Sequence, residues 1–240
     1  MSCLATIAGV RLLVHSEQAL LLDFSALSPA GPGPALMQKI QTVRQQLPAL
    51  LGSHLLELVP SYTSILLIFD LLQTDHSSVG QALASALPLW LNASAPAAQG
   101  KVVELPCYYS AESGPDLHQV AALHQLSVAA LIRLHSQQQY QVYAIGFAPG
   151  FAYLGFTDPR INTPRLSSPR PLVAAGSVAI ADRQTAVYPA PSPGGWHLLG
   201  NCPVPLFDLN ASPMMPFAVG DTVQFVPVER SEFLRLGGQL

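Results

Sequence analysis

The sequence is short of charge. Only two lysines, Lys39 and Lys101, occur in 240 residues, and charged side chains make up 10% of the chain with a formal net charge of −3. A soluble domain usually carries about 25%. General nucleic-acid binding needs clustered cations to neutralise phosphates, so this composition argues against it. Half of the residues are apolar, which excludes a disordered polymer. Long hydrophobic runs are missing too: the richest, Ser64 to Leu72, is broken by Asp70 and is of strand length, far short of the roughly 18 residues of a spanning helix. No cationic stretch followed by an apolar core opens the chain, because Arg11 and Glu17 stand where such a core would lie. The three cysteines, Cys3, Cys107 and Cys202, are far apart and form no Cys-x-x-Cys pair. They read as thiols of a reducing cytoplasm, and the Asn92-Ala-Ser94 and Asn210-Ala-Ser212 sequons as accidental. A soluble chain this poor in charge is expected to cover part of its surface with a partner.

Generic signatures of chemistry are absent as well. Gly100-Lys101 lacks the first glycine and the hydroxyl residue of a P-loop, and there is no Gly-x-Gly-x-x-Gly and no Gly-x-Ser-x-Gly. His118, His124 and His135 are spaced by six and eleven residues, so they do not share one helix face, and no metal site is expected.

The apolar residues that are present alternate in period. Ala19 to Phe24 reads as a strand, and Ser28-Pro-Ala-Gly-Pro-Gly-Pro34 as a turn cluster. Leu36, Ile40, Val43 and Leu47 mark one face of a helix expected to end near Pro48. His54–Val59 and Ser64–Phe69 read as two strands turning at Pro60-Ser61, and Val79, Leu83, Ala86 and Leu87 as a second helix. Residues 1–91 are therefore expected to form a small α+β domain, and residues 92–100 a linker. In residues 101–240, Val102–Tyr108 reads as a strand. Two short helices follow, with Asp116 and Ser127 as expected N-caps. The second carries one cation, Arg133, too few for a DNA-recognition helix. From Tyr140 on, short apolar runs between glycines and prolines suggest an all-β barrel or sandwich, closed by Thr222–Val228, with a short helical or loose tail from Glu229.

Three blocks stand out between Tyr143 and Gly200. Gly146-Phe-Ala-Pro-Gly-Phe-Ala-Tyr-Leu-Gly155 is uncharged and aromatic. Arg160, Arg165, Arg170 and Arg183, four of the nine arginines, follow within 24 residues, three of them in Pro-Arg pairs. Ser192-Pro-Gly-Gly-Trp196 offers backbone N–H groups beside an aromatic wall. Apolar surface, arginines and backbone donors together suit a small anionic ligand, while the same residues would also serve as barrel corners with surface arginines.

These blocks, in this order, resemble the bacterial family of 5-oxoprolinase B-type subunits, also described as allophanate hydrolase subunit 1 or kinase-inhibitor-like proteins. The resemblance extends through Glu104-Leu-Pro, Gly114-Pro-Asp-Leu117, Arg133-Leu-His-Ser136, Asp158-Pro-Arg160, Thr163-Pro-Arg165, Ala175–Ala181, Gln184-Thr185, Tyr188-Pro189 and Phe207-Asp208. It is weaker over Glu17–Phe24 and Glu57–Tyr62. It implies a cyclophilin-like β-barrel after the α+β domain. It also implies partners, the C-type and A-type subunits of 5-oxoprolinase, the former cyclophilin-like too. The implied activity is ATP-dependent opening of 5-oxoproline to glutamate by an assembly in which this chain is inactive alone. ATP, with Mg2+, is the implied cofactor, at a site shared with the partner. A lactam carbonyl is a poor electrophile, and phosphorylating its oxygen creates a leaving group; such transfer needs mainly positioning and charge stabilisation.

The resemblance places Phe147, Pro149, Gly150, Phe151, Tyr153, Tyr188 and Trp196 at the pocket. It gives Arg165 and Arg170 the task of holding a carboxylate or phosphate, and Gln184, Thr185, Ser192 and the backbone of Gly194 and Gly195 that of hydrogen bonding. Arg165 is the expected catalytic cation, and His135 an acid/base candidate or a satisfied helix-end histidine. The same family includes an inhibitor of a sensor histidine kinase and parts of urea- or amide-carboxylating systems, so substrate stays open at this point. The chain departs from the family pattern at Asp182-Arg183-Gln184-Thr185-Ala186, where Gly-x-Gln-Thr-Gly is common, and at Ala152, Ala174 and Phe156. A positive φ is expected to suit Asp182 and to strain Ala186.

Overall fold

The computed structural model describes residues 2–93 and 100–240, which fall into two compact units. The expected linker lies mostly on Ser94–Gln99, outside the described residues.

The first unit holds β1 (Ser2–Ile7), β2 (Val10–Ser16), β3 (Ala19–Asp23), α1 (Pro34–Leu51), β4 (Leu55–Ser61), β5 (Ser64–Phe69) and α2 (His76–Asn92). Its antiparallel sheet has the order β1-β2-β3-β5-β4. The alternation is clearest in β5, where Ile65, Leu67 and Phe69 are buried. Leu36, Met37, Ile40, Val43 and Leu47 of α1 and Val79, Leu83 and Leu87 of α2 bury the facing stripes. Pro34 opens α1 where a missing N–H costs nothing. Pro48 does not end it: the helix runs three residues further, and the Gly52 N–H closes on the Pro48 carbonyl. The β4–β5 turn falls at Tyr62-Thr63, past the expected Pro60-Ser61, with Tyr62 at φ +47°. The β1–β2 hairpin was not legible in the sequence; most β1 residues are exposed.

The second unit contains β6 (Val102–Cys107), α3 (Leu117–Leu123), α4 (Val128–Ser136), β7 (Gln139–Ile145), β8 (Ala152–Leu154), β9 (Arg170–Val173), β10 (Ser177–Ala181), β11 (Gln184–Val187), β12 (Ser192–Gly194), β13 (His197–Asn201), β14 (Thr222–Pro227) and α5 (Arg230–Arg235). With three helices it is not all-β. Its seven-stranded sheet has the order β13-β10-β11-β8-β7-β14-β6, and β9 pairs with β12 separately. The expected closing strand, β14, instead lies inside the sheet, parallel to β6 and antiparallel to β7. The two edges meet where Tyr108 and Asn201 exchange both backbone hydrogen bonds, at 2.9 and 3.0 Å, so the sheet is nearly a closed barrel. Its interior is filled by Leu105, Tyr140, Val142, Leu154, Val178, Val223 and Phe225. Ser127 caps α4 as expected, accepting from the Ala130 N–H. Asp116 does not cap α3 through its side chain, which is engaged elsewhere. No helix among the described residues is long and apolar enough to cross a membrane.

Candidate functional site

A second apolar cluster in this unit lies under a surface cleft. Small residues, Ala179, Ala181 and Ala186, leave room there for Phe151, Tyr188 and Trp196. The β7–β8 loop supplies the rings. It folds back on itself through Gly146 N–H to Phe151 O (3.1 Å) and Phe151 N–H to Ala148 O (2.9 Å), with Gly150 at φ +83° against the Leu206 carbonyl. Phe151 is the hub: its ring meets Phe147, Tyr153, Tyr188 and Trp196 edge to face, at centroid distances of 5.2, 5.0, 5.6 and 6.1 Å.

Above this hub opens a cavity of about 260 Å³, lined by Phe147, Phe151, Tyr153, Tyr188 and Trp196 with Arg165, Pro169, Pro193, Gly194 and Gly195. A side chain at Gly194 would strike the Tyr188 hydroxyl at 2.3 Å, so only glycine lets this strand approach the phenol. Burial pushes the Tyr188 phenol above its ordinary pKa, opposed by a hydrogen bond from the Trp196 backbone and by the Arg165 charge.

Arg165 is the one cationic side chain of this lining. Its neighbours are pinned to those of Trp196: Leu166 N–H donates to Gly195 O (2.8 Å), and His197 Nε2 donates to Pro164 O (3.0 Å). The guanidinium is thereby held 5.8 Å from the Trp196 ring centroid, with its side chain 60% exposed at the mouth. The other three arginines are committed elsewhere. Arg160 pairs with Asp158, whose carboxyl it holds down to about 2, chiefly by its side-chain hydrogen bonds. Arg183 lies 4.7 Å over the Phe156 ring. Arg170, an expected anion holder, bonds the Asp116 carboxylate at 2.6 Å and the Trp196 carbonyl at 3.3 Å, and does not line the cavity.

His135 does not line the cavity. It is fully buried at the end of α4, with Nδ1 2.7 Å from the Tyr109 hydroxyl and Nε2 2.8 Å from Thr185 Oγ1. Thr185 donates its own proton to the Ala179 carbonyl, so Nε2 carries the hydrogen and Nδ1 accepts from Tyr109. Desolvation pulls its pKa down to about 3, leaving a neutral structural ring stacked on Phe225 at 4.7 Å. Thr185 is consumed by the same chain of bonds, and neither it nor Gln184 lines the cavity. Pro149 is exposed on the loop and Gly150 makes its turn. Ser192 belongs to the short strand β12, with Oγ buried and without a hydrogen-bond partner.

Asp182 has φ +50°, as its position in the pattern suggested, whereas Ala186 lies extended in β11 opposite Ala179 and carries no strain. Asp116, His197 and Pro169 were not assigned to the site from sequence: Asp116 bonds residues 54 and 82 positions away, His197 bonds Pro164 33 positions away, and Pro169 lines the cavity. Among the described residues no group of three or more His, Cys, Asp or Glu is placed to hold a metal ion.

Residues 10–217 match the family described as carboxyltransferase domain, subdomain C and D. The chain is 38% identical over 187 residues to the 5-oxoprolinase B-type subunit of Bacillus subtilis, covering 74% of this chain and 78% of the relative. It is 44% identical over 138 residues to the corresponding 5-oxoprolinase B-type subunit of Haemophilus influenzae, covering 58% and 65%. The crystal structure of TTHA0988 superposes with a TM-score of 0.72 at 33% identity; the match covers 89% of this chain but 40% of that one. The Kluyveromyces lactis urea carboxylase superposes at 0.68 with 17% identity, over 97% of this chain and 24% of that one, a likeness of fold alone.

Proposed function

The chain belongs to the family of 5-oxoprolinase B-type subunits, and from that premise we propose that its cleft binds 5-oxoproline for ATP-driven opening to glutamate. In this reading the chain works in the cytoplasm, assembled with C-type and A-type partners, and supplies no turnover alone. The observation that carries it is a cleft walled by five aromatic rings with one arginine at its mouth. A five-membered lactam with one carboxylate has matching parts: a flat, weakly polar ring for Phe151, Tyr188 and Trp196, and a single anion for Arg165.

The residues present fit the lactam and not the nucleotide. A triphosphate with its magnesium calls for several cations or aligned N–H donors and for carboxylate or hydroxyl ligands. The cavity lining holds one arginine and no acid. The reading therefore leaves the nucleotide to a site shared with the C-type partner. A concave aromatic site with a cation favours a small ligand over the kinase-contact reading, and 38–44% identity to 5-oxoprolinase B-type subunits, against 17% to the urea carboxylase, supports the lactam over the carboxylase reading.

Reconstitution with the C-type and A-type partners tests the proposal. It should give 5-oxoproline-dependent ATP hydrolysis; ATP hydrolysis indifferent to 5-oxoproline, or none at all, would overturn it.

A further inference from the structure

The departure at Asp182 lies where it acts on the site. Asp182 occupies the first position of the two-residue turn between β10 and β11, at φ +50°. Its backbone is locked to the segment that carries Arg165: Asp182 N–H donates to Thr163 O (2.6 Å), and Thr163 N–H to Asp182 O (3.3 Å). With Thr163 directly opposite, Arg165 is the diagonal neighbour two residues on, and the Asp182 carboxylate reaches its Nε at 3.7 Å. The next residue, Arg183, stacks on Phe156, so it does not neutralise this carboxylate from the turn. Both members of the Arg165–Asp182 pair keep about 60% of their side chains in solvent, at 60% and 64%, so a ligand can reach the guanidinium without breaking a buried bond.

We propose that Asp182 is a specificity-determining residue of the cleft, a built-in carboxylate that competes with the ligand's carboxylate for Arg165. This rests on the reading of the cleft as the 5-oxoproline site. An anionic ligand must share or displace Asp182, whereas a neutral ring meets no such rival. The residue thus weakens binding of every anion at the mouth and narrows the advantage of 5-oxoproline over uncharged lactams. Because the pair is exposed, the effect is modest, about two- to five-fold.

The test is kinetics of the assembled three-component enzyme carrying Asp182→Asn. Asparagine tolerates the left-handed backbone and removes only the charge; Asp182→Gly, which accepts the same φ, serves as the second variant. The KM for 5-oxoproline should fall about two- to five-fold. The inhibition constant of 2-pyrrolidinone, the same ring without a carboxylate, should stay put. Salt near 0.5 M, where the Debye length falls to about 4 Å, should shrink the difference. In an Arg165→Gln background the Asp182 substitution should do nothing. An unchanged KM, or an equal shift for the neutral ring, or an effect that persists without Arg165, overturns the inference. A wild-type assembly that fails to respond to 5-oxoproline overturns the reading of the cleft, and the inference with it.

Discussion

The Asp116 carboxylate joins two distant strands: one oxygen accepts from Arg170 at 2.6 Å, and the other from the Leu198 N–H at 2.7 Å. Asp116 is buried, and Arg170 passes the connection on to the Trp196 carbonyl. The pair therefore braces the strand that carries Trp196, behind the cavity lining. Removing one partner strands a buried charge, so Arg170→Ala should cost about 2–3 kcal/mol, at or below the lower end for broken buried pairs because Arg170 keeps some exposure. Urea denaturation would show this as a lower midpoint. A loss of activity without any loss of stability would instead return Arg170 to the ligand.

Arg165→Ala should give the opposite pattern. Its exposed side chain makes a long contact to Asp182 and a distant cation–π contact with Trp196, so stability should move by less than about 1 kcal/mol. The charge-assisted bond to the ligand carboxylate would be gone, raising the KM for 5-oxoproline about 10- to 100-fold in the reconstituted assembly. Unchanged kinetics would remove Arg165 from the site.

The contrast between these two arginines shows how far the sequence could be read. The aromatic block 146–155 and Gly194-Gly195-Trp196 were legible as local runs whose composition suits a cleft, whereas Arg165 was one of four clustered arginines and was given its task, with Arg170, by the family resemblance. Arg170 looked equivalent to Arg165, since both follow a proline, but its partner lies 54 residues upstream. Asp116 in turn looked like a helix cap because that is the local use of an aspartate before an apolar run. Likewise His135 and Thr185 lie 50 residues apart and show no sign in sequence of sharing one hydrogen bond. Local propensity also failed at Pro48, where packing of Leu47 and Leu51 carries α1 past a residue that usually stops a helix.

His135 predicts how stability depends on pH. Its folded pKa is about 3, below the ordinary 6.5, because burial excludes the charged ring. Below pH 6.5 the unfolded chain takes up a proton that the folded chain refuses, so stability is full above that pH and declines as pH falls toward 3. From pH 6.5 to pH 5 this one group should remove about 2 kcal/mol. Urea titrations at the two pH values would measure it, and His135→Gln should flatten the slope over that interval. Because the ring stays neutral and enclosed, activity between pH 6 and 8 should show no inflection traceable to it.

Phe147 sits at the lip of the cleft, 64% exposed, with φ +75°, a backbone region that bulky residues avoid. Strain of this kind persists only where surroundings impose it, and here the loop bonds from Gly146 to Phe151 and from Phe151 to Ala148 do so. Two effects then oppose each other on substitution: loss of the ring's edge contact with Phe151, and relief of the backbone. Phe147→Gly gains the relief, worth about 1–2 kcal/mol, and loses little packing because the ring is mostly in solvent. Phe147→Ala loses the same packing and keeps the strain. Thermal or urea denaturation should therefore rank the glycine variant above the alanine variant, and at or above the natural protein. Both variants should bind 5-oxoproline more weakly, since the ring forms the outer wall of the cavity. An alanine variant as stable as the glycine variant would mean that the backbone at Phe147 is not strained, and the lip would then owe its position to side-chain packing alone.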